Sequence, residues 1–170
     1  MAADERANLI ERQVPALRRY AYALLRDHDA ADDLVQDCLE RALSRWYLRR
    51  SDADLRAWLF TILRNLCISA YRSRRRRGVT TPIDEAMPLG TAPGQEARLE
   101  AHDMLAALDQ LPEDQKSLLL LIGVEDLSYA EAAKVLGVPI GTVMSRLSRA
   151  RQRLRTAIEG GRAPLLRRVK

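Results

Sequence analysis

Helical periodicity runs through most of this chain and fails in one place, and that break constrains the fold most. Residues 78–95 hold three prolines (Pro82, Pro88, Pro93) and three glycines (Gly78, Gly90, Gly94) and show no helical repeat. Such a stretch is a linker rather than a packed element. It divides the 170 residues into segments of 77 and 75, each enough for a small helical domain. The expected architecture is all-α: a three-helix N-terminal lobe (1–77), a flexible linker (78–95) and a four-helix C-terminal lobe (96–170).

In the first segment the spacing predicts a helix over 9–27 that restarts near Pro15, a residue suited to a first helical turn. Its stripe is Leu17, Tyr20, Ala21, Leu24 and Leu25. Asp29 is the expected N-cap of a second helix over 30–44, with Asp32 at its third position and Leu34, Val35, Cys38, Leu39 and Ala42 buried. A third helix starts near residue 54 and reaches about residue 75, with Leu55, Trp58, Leu59, Ile62 and Leu66 on its core face. Phe60, Leu63 and Cys67 widen that face, as expected of a helix packed on more than one side.

In the second segment Pro112 separates helices over 96–111 and 113–123, the latter carrying an apolar run from Leu118 to Ile122. Ser128-Tyr129-Ala130-Glu131 is a capping-box pattern opening a short helix that ends at Leu136, with Gly137 as its stop. A final helix over 140–158 follows. Its seam is Val143, Leu147, Ala150, Leu154 and Ile158, and its other face carries Thr142, Ser145, Arg146, Arg149 and Arg153. A two-turn helix, a glycine turn and a helix with small polar residues first and arginines after them suit a helix-turn-helix in a DNA major groove.

Charge distribution agrees. The net charge is +5, carried by 25 Arg and three Lys against 23 acids. Residues 64–77 hold six Arg and no acid, and residues 144–170 hold nine bases and one acid, while 84–126 is acidic. Two basic helical segments on one chain point to two contacts with a polyanion, most simply nucleic acid. The composition, 47% hydrophobic and 30% charged, excludes a disordered chain. No apolar run approaches the roughly 20 residues of a membrane span, and the Asp4-Glu5-Arg6 opening has no signal-peptide core, so export and membrane contact are not expected. Two cysteines, Cys38 and Cys67, make no disulfide framework, and with no CxxC and only His28 and His102 no zinc site is expected. No constellation supports catalysis, a metal or a cofactor.

Three stretches carry a family resemblance. Residues 108–115 (LDQLPEDQ) and 127–151 (LSYAEAAKVLGVPIGTVMSRLSRAR) resemble the promoter −35-binding domain of extracytoplasmic-function sigma factors. Residues 31–37 (ADDLVQD) resemble the segment by which that family grips core RNA polymerase, and residues 56–72 (RAWLFTILRNLCISAYR) its −10-recognition helix. They stand in the right order over nearly the whole chain, and Gly141 to Leu147 has the flavour of the alphaproteobacterial general-stress subgroup. The resemblance implies a cytoplasmic, non-catalytic initiation factor that binds core polymerase at the β′ clamp helices and β flap, binds promoter DNA, and is restrained by an anti-sigma protein. It implies that Asp32, Asp33, Leu34, Gln36 and Asp37 dock on the clamp helices. It places Tyr47, Arg49, Arg50 and Ser51 in a loop that captures a flipped base, with Arg64 and Asn65 on the −10 strand. Arg72, Arg74, Arg75, Arg76 and Arg77 are expected to neutralise phosphates. The −35 contacts fall on Thr142, Met144, Ser145, Arg146, Ser148, Arg149 and Arg153. Trp46 and Trp58 lie on apolar stripes that favour core packing over base stacking.

Three positions depart from the family pattern. Met144 replaces a basic side chain, Ser69 replaces an Asp, and Glu125-Asp126 replaces a turn that usually contains Gly. Two other functions compete. One is a free-standing helix-turn-helix regulator with a sensing N-terminal lobe, which would footprint its operator without polymerase. The other is a sigma-mimicking module that sequesters an anti-sigma protein; such modules are fused to a receiver domain, and none is expected beside these lobes.

The linker sets a spacing test. Promoter elements about 17 base pairs apart lie roughly 58 Å apart at about 3.4 Å per pair, and 18 extended residues span at most about 60–65 Å. Deleting residues 85–92 is expected to abolish initiation at normally spaced promoters, as read by run-off transcription. A Gly/Ser segment of equal length keeps core binding but lowers promoter output if Asp84 and Glu85 contact the polymerase channel.

Overall fold

The computed structural model describes residues 3–49, 54–78 and 94–166, with side chains described as far as residue 161. Every regular element among them is a helix. The sequence-predicted first helix is two: α1 (Ala3–Glu11) and α2 (Val14–Leu25), separated just before Pro15. The N-terminal lobe therefore has four α-helices rather than three. Arg26, at φ 57°, ends α2 in the left-handed region and turns the chain into α3 (His28–Ser44).

The cap of α3 corrects the sequence expectation. Asp27, not Asp29, is the N-cap: its backbone is extended and its carboxylate accepts the Ala30 N–H at 2.9 Å. The turn at Arg26 brings Asp27 into the only position where its oxygen meets an unpaired first-turn donor. Asp29 becomes a first-turn acid, and Asp32 lies beyond the third position. Arg74 also reaches Asp27 at 2.7 Å, tying the start of α3 to the end of the long α4 (Leu55–Arg76). The Ala30 N–H first, and Arg74 second, hold the Asp27 carboxyl below the usual carboxylate range. The stabilisation it gives is thus present at neutral pH and lost as pH falls through the acidic range.

A 3₁₀ turn, Trp46–Leu48, follows α3. The core between α2, α3 and α4 is built on Leu17, Leu59, Leu63, Cys38 and Cys67, all fully buried, with Tyr20 edge-on to Phe60 at 5.5 Å. The C-terminal lobe comprises α5 (Gln95–Asp109), α6 (Glu113–Leu119), a π-helical turn (Leu120–Val124), α7 (Tyr129–Leu136) and α8 (Ile140–Leu166). The single helix expected over 113–123 widens at Leu120, and the chain leaves it through Asp126 at φ 57°. An Asp tolerates this left-handed backbone better than most side chains, though less well than Gly. The capping box is formed as expected, Ser128 Oγ accepting from Glu131 N at 3.1 Å and Glu131 Oε2 from Ser128 N at 2.7 Å. Gly137 takes φ 65° at the end of α7. Helix α8 continues past residue 158, because Gly160 and Gly161 keep negative φ and so do not stop it.

The two lobes are packed together and their buried residues form one continuous core. The centre of their interface is polar. Glu125 is fully buried and its carboxylate is clamped by Arg19 of α2, Nε to Oε1 at 3.2 Å and Nη2 to Oε2 at 2.9 Å. Arg56 of α4 donates to the Glu125 carbonyl oxygen and lies 3.7 Å from Oε2. Tyr20 and Ser117 share a buried hydroxyl bond of 2.7 Å, and buried Lys116 donates to Leu24 O and to Asp109. Burial pushes the Lys116 ammonium below its ordinary value, against the pull of Asp109.

The turn before α7 is testable by urea unfolding. Asp126→Gly is expected to stabilise by about 0.5 kcal/mol through relief of the left-handed backbone, and Ser128→Ala to destabilise by about 1 kcal/mol through loss of the cap.

Candidate polymerase and nucleic-acid interfaces

Helix α3 sorts its residues by period. Ala31, Val35, Cys38 and Ala42 face the core, which leaves Asp32, Asp33, Gln36 and Asp37 exposed and Leu34 half-buried beside them. The five sequence-predicted docking residues are thus brought onto one face. Asp32 pairs with Arg18 at 3.0 Å, both well exposed, and Gln36 donates to Glu40 at 3.3 Å. Carboxylates around a half-buried leucine form a small, mixed surface suited to a partner with basic and apolar groups.

The end of α3 and the turn after it carry three exposed apolar side chains, Leu43, Tyr47 and Leu48, Tyr47 being 80% exposed. Arg49 lies with its guanidinium 4.0 Å from the centre of the Trp46 ring, and Arg6 of α1 covers the same indole at 5.9 Å. Trp46 in turn meets Trp58 edge-on at 6.4 Å. Both tryptophans are half-buried and packed on the core, as their stripes predict. A cavity of about 380 Å³ opens beside them, lined by Leu48, Arg49, Ala57, Trp58 and Thr61. Its rim is an ion pair between Asp54 and Lys134 of α7, at 2.7 Å. Arg50 and Ser51, assigned to base capture on the sequence, lie outside the described residues.

Along α4 the predicted −10 residues separate. Asn65, Arg75 and Arg76 are exposed. Arg64 is turned towards the other lobe: its side chain is 13% exposed, and its guanidinium meets Asp114 at 2.8 Å and Ser117 Oγ at 3.3 Å. Arg72 meets Glu113 at 2.6 Å. Ser69 lines an open basin with Arg72, Arg75, Arg76, Pro112 and Glu113. The sequence reading missed Glu113, Asp114 and Ser117 as partners of this helix.

On α8, Val143, Leu147 and Ala150 are buried against α5, α6 and α7, and the opposite face is free. Met144, Ser145, Ser148, Arg149 and Arg153 are exposed, with Thr142 and Arg146 half-buried at its edge. Arg149 and Arg153 border a groove of about 810 Å³ with Gln110, Gln152 and Thr156, and these polar neighbours were not singled out by the sequence. The arrangement presents small polar side chains at the helix start and guanidinium groups one to three turns on. That is the order in which base edges and phosphates are met in a major groove.

Comparison with known proteins decides the family. Residues 10–64 match the model of the sigma2 domain of PhyR, and residues 101–154 match sigma-70 region 4. The chain is 47% identical over 141 residues to the ECF RNA polymerase sigma factor EcfG of Rhodopseudomonas palustris, covering 83% of this chain and 78% of that protein. The chain belongs to the extracytoplasmic-function RNA polymerase sigma factors. Among solved structures it resembles the sigma factor RpoE in complex with the anti-sigma factor NepR from Bartonella quintana, at 38% identity and TM-score 0.75, covering 93% of this chain and 98% of that one. The anti-anti-sigma factor PhyR from the same organism shares the fold at 17% identity and TM-score 0.57, over 87% of this chain and 48% of that one.

Neither cysteine of this sigma factor is placed for chemistry. Burial pushes the Cys38 and Cys67 thiols up to about 12, and Cys38 donates to Leu59 O at 3.5 Å. His28 stacks on Tyr22 at 4.0 Å beside the start of α3. Among the described residues no group of acids, histidines and cysteines could hold a metal, and no helix is long and apolar enough to cross a membrane. Native protein at pH 8 is expected to alkylate with iodoacetamide at least about 100-fold more slowly than the urea-unfolded chain, since the thiolate is the reactive form; comparable rates would show that the core opens readily.

Proposed function

We propose that this chain is an alternative sigma factor that binds core RNA polymerase and directs initiation at promoters read through a −10 and a −35 element. The observation that carries the reading is the arginine-bearing, solvent-facing side of α8, held behind a capped two-turn helix, in a chain with high identity to EcfG. In this reading residues 1–77 grip polymerase and open DNA, residues 96–170 recognise the −35 element, and 78–95 joins them.

The exposed face Asp32, Asp33, Leu34, Gln36 and Asp37 docks on the β′ clamp helices, and the C-terminal lobe meets the β flap. Tyr47, Arg49, Arg50 and Ser51 border the pocket for a flipped base, which needs a stacking surface and hydrogen bonds to the base edge. Arg64 and Asn65 hold the −10 strand, while Arg72, Arg75 and Arg76 neutralise phosphates. Thr142, Met144, Ser145, Arg146, Ser148, Arg149 and Arg153 form the −35 surface, and Met144 shifts its preference away from that of relatives with a basic residue there. The protein acts in the cytoplasm, has no catalytic role, and serves a general stress response. The relative from Bartonella quintana is bound by the anti-sigma factor NepR, and we place a comparable restraining partner here.

One observation favours a second reading, a sigma-like decoy for an anti-sigma protein: the N-terminal half matches the sigma2 domain of PhyR. The exposed arginines of α8 weigh against it, because a decoy has no need to neutralise phosphates. Polymerase co-purification separates the two. Replacing Gln36 and Asp37 together by Ala is expected to weaken core binding; unchanged co-purification removes the clamp-docking assignment. Arg149→Ala is expected to cost about 1–3 kcal/mol at promoters and to relax preference at one −35 base pair. Equal weakening on all sequences would make Arg149 a phosphate contact only. Changing Arg75 and Arg76 should lower the salt dependence of binding without altering specificity.

A further inference from the structure

The basic face of α4 is already engaged in the free chain. Arg64 gives its guanidinium to Asp114 at 2.8 Å and to Ser117 Oγ, and Arg72 gives its own to Glu113 at 2.6 Å. Both acids stand in the first turn of α6, in the other lobe. Each carboxylate gives one oxygen to its arginine, a singly charged acceptor of the kind a phosphate oxygen also offers. The remaining surfaces are open: the docking face of α3 and the recognition face of α8 are exposed while the lobes are together. On the −10 helix Arg64 is covered by the other lobe, whereas Arg72 is tied to it through Glu113 but stays exposed.

We propose that Glu113 and Asp114 are internal stand-ins for promoter phosphates, so that the C-terminal lobe competes with single-stranded DNA for Arg64 and Arg72 and DNA is admitted only after the lobes part. The inference rests on the sigma-factor reading for its purpose, but not for its test. The arrangement gives an order of events. Polymerase meets the exposed α3 face first, and the −10 strand follows. Arg75 and Arg76, exposed beside Ser69 in a basin of about 640 Å³ that ends at Glu113, give an incoming strand its first contact next to the pair it must displace. The rest of the interface suits separation, because its outer bonds, Arg72–Glu113 and Lys134–Asp54, are solvent-exposed ion pairs that salt weakens.

The test uses full-length protein without polymerase and a fluorescein-labelled oligothymidylate, so no promoter sequence need be known. Fluorescence anisotropy compares wild type with the isosteric variant Glu113→Gln/Asp114→Asn, and with Glu113→Gln alone should the double variant unfold at a lower temperature. The expected result is binding about tenfold tighter for the double variant at low salt. The same pair of changes is then made in an Arg64→Ala/Arg72→Ala background, where the gain should vanish. That double cycle removes the general effect of deleting two negative charges. Equal affinity of wild type and variant overturns the proposal, and so does a gain that persists without Arg64 and Arg72. Failure of wild type to support run-off transcription with core polymerase would strike the sigma-factor reading instead, and leaves the affinity comparison to decide the competition by itself.

Discussion

The arrangement of this molecule depends on one buried carboxylate. Glu125 has no exposed side-chain surface and sits at the exit of the π-helical turn, where two arginines from the opposite lobe converge on it. A buried charge is tolerated only when paired and hydrogen-bonded. Arg19 satisfies both of its oxygens, and Arg56 holds its backbone carbonyl. The same turn that buries Glu125 throws Asp126 into the left-handed region and launches the capped α7. One short segment thus sets both the packing of the lobes and the entry angle of the helix-turn-helix.

Around that centre the interface has a consistent polarity. The N-terminal lobe contributes Arg19, Arg56, Arg64 and Arg72, and the C-terminal lobe contributes Glu125, Asp114 and Glu113. Lys134 and Asp54 reverse the sense at one edge. The acidic middle of the chain, whose purpose composition alone left open, is in part the counter-surface to the first basic helix. Apolar burial runs through both lobes as one core; charge pairing adds to it where the lobes meet, and is the more easily exchanged of the two.

Much of the fold was legible because its signals are local. The capping box at Ser128, the stop at Gly137 and the seam Val143–Leu147–Ala150 each follow from spacing within one or two turns, and all are formed. The exposed polar side of α8 was legible for the same reason. What was missed depends on distant partners or on backbone state. Asp29 and Asp27 are equally good caps on sequence, and only the left-handed Arg26 decides between them. Glu113 and Asp114 read as ordinary first-turn acids complementing a helix dipole, and no pattern announces their arginines some 40 to 50 residues earlier. Glu125 was noted only as part of a departure from a Gly-containing turn, since burial of one acid leaves no periodic trace.

In this arrangement the acidic face of α3 and the arginine-bearing face of α8 are open, while Arg64 of α4 is covered by the other lobe. The central claim is that promoter selection by this chain requires core polymerase. Run-off transcription on genomic DNA with purified core polymerase, with and without this protein, measures it directly. The account predicts a limited set of new start sites that share a −10 and a −35 element and appear only when both components are present. Footprinting of those same sites by the protein alone, or the absence of any new start site, would contradict it.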